Sequence, residues 1–350
     1  MIAVVAGLEI EVEDDSINFD EAQSPHVEWT ATAKVPVTQA DMDLLDPRRG
    51  VRALVTLGDS TLDLLLTERS IDRPSNTMKL TARSDEQVLM NNGTGTTTLT
   101  FPPGSEAHRS IQRIIREALP DAVFQDSGVR GFGWTAPDED YVVAPGDNAQ
   151  QAAWEIADRA GDRWVYQDGH VWRIRERPEL AETPAAALTI GEDGVIVSSS
   201  TALTLDDFYN SVLVVHTWTT EDLDGEGKTV RNERRAEGWA SIMSGPFEVT
   251  GPAGRKTLRV ERNYAGTRET AEAAARSLLN RTSSRGRSMS LAAVPTEKDL
   301  ALRPGDTISI QLPTGPAELH LISGITFSRP DSLMQITTRV PSDAPITTGA

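Results

Sequence analysis

The sequence predicts an α+β protein that is mostly β, with two β-rich modules and α+β modules set into them. Three observations carry this. Period-two alternation of apolar and polar residues runs through both ends of the chain. Helical periodicity is confined to stretches following Ser105, Asp147 and Thr267. The 350 residues exceed what one ordinary core serves and suit two to four modules, which can bury roughly three quarters of the unfolded surface.

The first β module is expected over residues 1–100. Val27, Trp29, Ala31, Ala33 and Val35 alternate with Glu28, Thr30, Thr32 and Lys34, the pattern of a half-buried strand. Runs at 51–57 and 61–66 flank Gly58-Asp59-Ser60, a hairpin turn. Another strand is expected at 78–83 after Pro74, and Asn91-Asn92-Gly93-Thr94-Gly95 reads as a flexible break.

An α+β module with a helix pair and a hairpin follows at 101–180. Ser105 is the expected N-cap of a helix whose apolar face is Ile111, Ile114, Ile115, Ala118 and Leu119, ended by Pro120. Asp147 is the expected cap of a second helix, with Ala149, Ala153, Trp154, Ala157 and Ala160 apolar and Gly161 at its stop. The hairpin is 164–174, turning at Asp168-Gly169.

The second β module is expected over 181–262 and 296–341. Residues 178–204, which lead into it, read as a connector: two prolines, an alanine run and Ser198-Ser199-Ser200. Val212, Val214 and His216 alternate with Leu213 and Val215, so both faces are apolar and the strand is central. Residues 222–228 form a polar hairpin tip, and 257–260 reads as a strand. An inserted helix-strand module takes 263–295. There Thr267 caps a helix carrying Ala271, Ala274, Ala275, Leu278 and Leu279, and a strand follows with Met289, Leu291 and Ala293. Ile308, Ile310 and Leu312, then 319–327 and 333–340, return to β, and 342–350 reads as a flexible tail.

Composition excludes several function classes. There is no cysteine, hence no disulfide framework, thiol nucleophile or thiolate metal site. The first residues are apolar without a basic flank and run into Glu9, Glu11 and Glu13, so no secretory leader is expected; synthesis in the cytoplasm is. No run approaches the ~20 apolar residues of a membrane span. A net charge of −18 repels phosphate and disfavours sequence-specific nucleic-acid binding. The basic residues are skewed to arginine, with five lysines among 34, which matches a GC-rich genome and carries no mechanistic weight.

No motif carries chemistry. Asp138-Glu139-Asp140 is the densest acidic loop, the first place to seek a glycosidase pair, but nothing marks one carboxylate as buried. His26, His108, His170, His216 and His320 show no metal-ligand spacing, and His216 reads as a packed or hydrogen-bonded strand residue. Asp14, Asp15 and Asp20 lack the calcium-loop offsets and read as an exposed acidic turn. The stretch 128–133 is glycine-rich without the Gly-Lys-Ser/Thr of a phosphate loop. Arg276, Arg281, Arg285 and Arg287 form the one basic cluster, read as an ion-pair surface or subunit interface. No catalytic residue, metal or cofactor is expected.

Three segments bring a resemblance. Asp206-Asp207-Phe208-Tyr209-Asn210-Ser211-Val212-Leu213-Val214 resembles the turn and strand opening the third module of phage tail hub proteins. Leu302-Arg303-Pro304-Gly305-Asp306-Thr307-Ile308 resembles the turn into a late strand of that module, and Asp72-Arg73-Pro74 with 78–83 the end of the first. In order, these span nearly the whole chain, which looks like a minor tail protein (baseplate hub-like) of a long-tailed phage with an actinobacterial host.

The resemblance implies β-barrel-like modules and a non-enzymatic virion protein. It implies a homotrimeric hub ring at the tail tip, continuing the tail tube. Distal tail protein, tape-measure protein and receptor-binding tip proteins would be its partners, with DNA only in transit during ejection. Much of the −18 charge is then expected to face the lumen, where it lowers friction on DNA. No lysozyme or peptidase segment is expected, so wall-degrading activity is not carried over. The rivals are a carbohydrate-binding adhesin, using loop residues Trp134 or Trp239 while Trp29, Trp154, Trp164 and Trp172 are core, and a peptidoglycan hydrolase.

Overall fold

The structure is a computed structural model that describes residues 2–91, 93, 95–125, 140–190, 194–203, 208–223, 229–283, 287–311, 317–330, 332–339 and 346–348. Strands β1 (Ile2–Val5), β2 (Leu8–Asp20), β3 (Val27–Lys34), β4 (Arg52–Leu57), β5 (Ser60–Asp72) and β6 (Thr77–Arg83) come first. They pair in the order β1-β4-β5-β6-β3-β2, and β2 returns to β1, so six strands close a barrel. Closure removes the exposed edges of an open sheet. In β3, Val27, Trp29, Ala31 and Ala33 face inward. Leu57 pairs with Ser60, leaving a two-residue turn in which Gly58 takes φ +56°, a conformation glycine adopts without steric cost. A short helix, α1 (Gln39–Leu44), capped by Thr38, spans the gap between β3 and β4.

The α+β module holds α2 (Glu86–Asn91), β7 (Leu99–Phe101), α3 (Ala107–Ala118), β8 (Val123–Gln125), β9 (Tyr141–Val143), α4 (Ala149–Arg159), β10 (Trp164–Asp168) and β11 (Val171–Arg175). Ile111, Ile114 and Ile115 of α3 meet Ala153 and Ile156 of α4 and Trp172 of the hairpin in one core. Both helix caps sit one residue later than expected. Glu106 is the N-cap of α3, and the Ser105 hydroxyl instead donates to the Pro102 carbonyl at 2.7 Å. Asn148 caps α4 by accepting from Gln151 N at 2.9 Å, while Asp147 accepts from Ala144 N at 2.7 Å. The chain makes a side-chain-closed turn before the helix, so the first capping-competent residue is spent on the turn. Asp168 pairs with Val171, which moves the hairpin turn to Gly169-His170. Trp154, expected in the core, is 41% exposed because α4 turns its alanines, not its tryptophan, onto α3.

The expected connector forms two strands, β12 (Ala186–Thr189) and β13 (Ile196–Leu203). After them come β14 (Ser211–Leu223), β15 (Thr229–Ile242), β16 (Thr257–Arg262), α5 (Arg268–Ser283), β17 (Arg287–Ala293), β18 (Thr307–Gln311), β19 (Glu318–Arg329), β20 (Leu333–Arg339) and β21 (Ile346–Thr348). A second six-stranded set runs β13-β17-β20-β19-β18-β12 and joins the barrel through β19 on β2, where Phe327 opposes Ile17. One continuous apolar core fills both sets.

Strands β16-β14-β15-β21 make a separate sheet with β14 central beside β15 and β16, covered by α5. The Thr267 cap is present, its hydroxyl accepting from Thr270 N at 3.2 Å. The strand pairing departs from an insert at 263–295. The helix α5 packs on β14 and β15, whereas β17 pairs with β13 and β20. Part of the expected tail, β21, pairs with β15. The helix approaches the sheet at Gly238, where a Cβ would lie 2.1 Å from Glu272 N.

Candidate functional site

The modules meet at a cleft of about 330 Å³. Its walls are the turn between β2 and β3 (Glu21, Ser24, His26), the end of α4 with Asp158 and Asp162, the start of β10, and Arg281 and Arg339 from α5 and β20. Three of its carboxylates, Glu21, Asp158 and Asp162, are matched to arginines from other elements. Arg339 Nε donates to Glu21 at 2.8 Å. Asp162, buried, accepts from Arg281 at 2.8 Å and from the Ser277 hydroxyl at 2.7 Å. Asp158 accepts from Arg262 and, at 2.5 Å, from the Tyr264 hydroxyl. Burial pushes the Asp158 carboxyl up, against the pull of Arg262.

Aromatic side chains seal the floor. The His26 ring meets Tyr166 at 4.7 Å and Trp164 at 5.3 Å between ring centroids, and its Nδ1 bonds the Asp20 carbonyl at 2.8 Å. Burial pushes this imidazole down to about 4, so it is neutral at pH 7. Arg175 lies over Trp164 at 4.7 Å. Beneath, Glu86 accepts from Gln167 N at 2.8 Å, and Gln167 Nε2 donates to Asp85 at 2.8 Å. Burial pushes the Glu86 carboxyl up to about 7.

A raised carboxyl in a cleft is what a general acid requires, and its partner must be a second carboxylate with an open face. Here Glu21, Asp158 and Asp162 are all engaged by arginine or tyrosine. The arrangement clamps the modules and fixes their relative position. No signal in the sequence marked these pairs, because the partners lie far apart along the chain.

The residues singled out from sequence are not brought together. Asp140 is exposed; 138, 139, 128–133, Trp134, Asp206, Asp207, Arg285 and Leu312 lie outside the described residues. His108, His216 and His320 lie in α3, β14 and β19 and His26 and His170 in turns, and among the described residues no group of three or more His, Asp and Glu could hold a metal ion. His216 is packed edge-on against Tyr264 at 4.9 Å. Asp14, Asp15 and Asp20 form no exposed turn: they lie within β2, and Asp15 is buried because it serves Trp29 and Arg329, each at 2.8 Å. Of the basic cluster, Arg281 is an internal ion-pair partner. Trp239 stands in β15, half-buried, not in a loop. Trp29, Trp164 and Trp172 are core.

No family model and no curated protein matches the sequence. Solved structures do match. A tail protein from Neisseria meningitidis MC58 superposes with TM-score 0.66 at 13% identity, covering 98% of this chain and 96% of that one. The 43 kDa tail protein of prophage MuSo2 from Shewanella oneidensis gives TM-score 0.66 at 10% identity, covering 97% and 98%. The E. coli c3393 protein, a type VI secretion component described as similar to T4 tail proteins gp27 and gp5, gives TM-score 0.54 at 13% identity, covering 97% and 77%. A six-stranded barrel, an α+β module and a second six-stranded set interrupted by a helix-covered sheet, over nearly the whole chain, are therefore the fold shared with these phage tail proteins.

Proposed function

We propose that the chain is a structural component of a bacteriophage tail tip, a homotrimeric hub ring that continues the tail tube and anchors tip proteins. The observation that carries this is the match, end to end, to two phage tail proteins. The two β sets, joined by β19 on β2, would line the tube, and the module of α3 and α4 would stand outside it. The arginine-clamped cleft supports a mechanical role, since it locks the modules without offering an open acid–base pair. Distal tail protein, tape-measure protein and receptor-binding tip proteins are the proposed neighbours, and the virion is the proposed location. A closed ring needs one heterologous contact repeated around the axis.

Light scattering of the purified protein across a concentration series tests the ring. A species near three times 38.0 kDa is expected. A monomer at every concentration favours the second reading, a carbohydrate-binding adhesin. That reading has one specific observation behind it: Trp154 lines the cleft and is 41% exposed, as a stacking platform for a sugar would be. Glycan binding lost in Trp154→Ala would support it.

A further inference from the structure

The outward face of α3 carries Arg109, Arg113 and Arg116, all exposed, at spacings of four and three residues. Residues so spaced share one side of a helix and here span about 10 Å. Arg109 is tied to Glu106 at 2.8 Å. Arg113 and Arg116 make no ion pair among the described residues. Their guanidinium groups are instead held over aromatic rings, Arg113 at 5.6 Å from the Phe101 centroid and Arg116 at 4.9 Å from that of Phe124. Val123, next to Phe124 in β8, is 51% exposed. Arginine on aromatic rings beside exposed aliphatic surface is the composition of a protein interface core. Two of the stripe's three arginines carry no ion pair among the described residues, on a chain of net charge −18.

The complementary surface is on the chain itself. Glu9, Glu11 and Glu13 alternate along β2, and all point out of the barrel. At strand rise they span about 13 Å, close to the arginine stripe. Lys34 lies beside them, 3.7 Å from Glu11 with both side chains mostly exposed, a pair that solvent screens to little energy. The geometry points to docking of the α3 arginine stripe of one copy on the β2 glutamate stripe of the next. The two stripes are different surfaces, so the contact is heterologous and repeats head to tail, as a closed ring demands. This rests on the ring reading above and specifies its contact. A partner of duplex DNA is the competing occupant, disfavoured by the long-range repulsion of an acidic protein.

The chain has no cysteine, which makes site-directed cross-linking clean. Arg113→Cys and Glu11→Cys are introduced together, and the full chain is treated with a short bismaleimide. The control pairs Arg113→Cys with Glu182→Cys, another exposed position. Covalent multimers forming much faster in the test pair than in the control are expected, with a ladder ending at three chains. A trimer by light scattering with no excess cross-linking overturns the contact and leaves the ring standing. Excess cross-linking with a ladder ending elsewhere upholds the contact and sinks the trimer. A monomer with no excess cross-linking overturns both. As a second readout, Arg113→Glu with Arg116→Glu weakens self-association at least about tenfold, and adding Glu9→Arg with Glu11→Arg restores it. A DNA mobility shift abolished by Arg113→Glu, without effect on self-association, assigns the stripe to phosphate and overturns the contact.

Discussion

The Arg329 guanidinium donates to the Asp15 carboxylate at 2.8 Å across 314 positions of sequence. The same carboxylate accepts from Trp29 Nε1 at 2.8 Å inside the barrel. One acidic group therefore ties the end of β19 to β2 and to the largest side chain of the first core. Asp15→Ala leaves a tryptophan donor buried without a partner and an arginine half-exposed. Removing one member of such a pair costs about 3–5 kcal/mol, so a matching drop in unfolding free energy by urea titration is expected. A loss below about 1 kcal/mol would show that the pair contributes only as a surface bridge does.

Stability should respond to pH through Glu86 and His26 with opposite signs. Burial holds folded Glu86 near 7 against an ordinary 4.5, so between these values the folded chain keeps a proton the unfolded chain has lost. Its contribution is full below 4.5 and fades as pH rises towards 7. Burial holds His26 near 4 against 6.5, so its contribution is present above 6.5 and is lost as pH falls towards 4. Glu86→Gln removes the first effect only. Relative to the parent, the variant gains up to about 3 kcal/mol between the low and high ends of the Glu86 range. Parallel stability curves for parent and variant would refute this assignment.

At Gly238 the sheet and α5 are in backbone contact, with room for no Cβ within 2.1 Å of Glu272 N. Gly238→Ala must push the helix off β15. A loss of about 3 kcal/mol is expected, with hydrogen exchange speeding in α5 and not in the barrel. Unchanged thermal stability would mean that the helix seats elsewhere.

Asp162 holds Arg281 and Ser277 of α5 against the end of α4. Asp162→Asn keeps the shape and removes the charge. Local opening of α5 should become easier by about 2 kcal/mol, since bonds to charged groups contribute ~1.5–3 kcal/mol, read as faster amide exchange at Ala274 and Ala275. Equal protection in both proteins would place the strength of the clamp in packing.

Much of this molecule was legible in its sequence. Alternation at Val27, Trp29, Ala31 and Ala33 marked β3, because a strand with one buried face cannot hide its period. The Thr267 helix and the central strand at Val212 to His216 were equally plain. Small residues hid others. Nothing large alternates in Ala186–Thr189 or Ile196–Leu203, and these become strands only because β18 and β17 offer them ladders. The helix caps slipped by one residue because several neighbouring side chains could each cap, and the local turn chose among them.

What the sequence determined by itself is the class of the protein: mostly β, strongly acidic, free of thiol chemistry, with its modules in a recognisable order. Local physics suffices there, since period, turn chemistry and charge are properties of neighbours. The tertiary structure alone decided that β19 pairs with β2, that Asp15 is a buried anchor, and that Glu21, Asp158 and Asp162 are held by arginines from other modules. Those partners lie scores to hundreds of positions away. Which charge a buried carboxylate meets depends on how whole modules dock, and no local pattern in the chain encodes that.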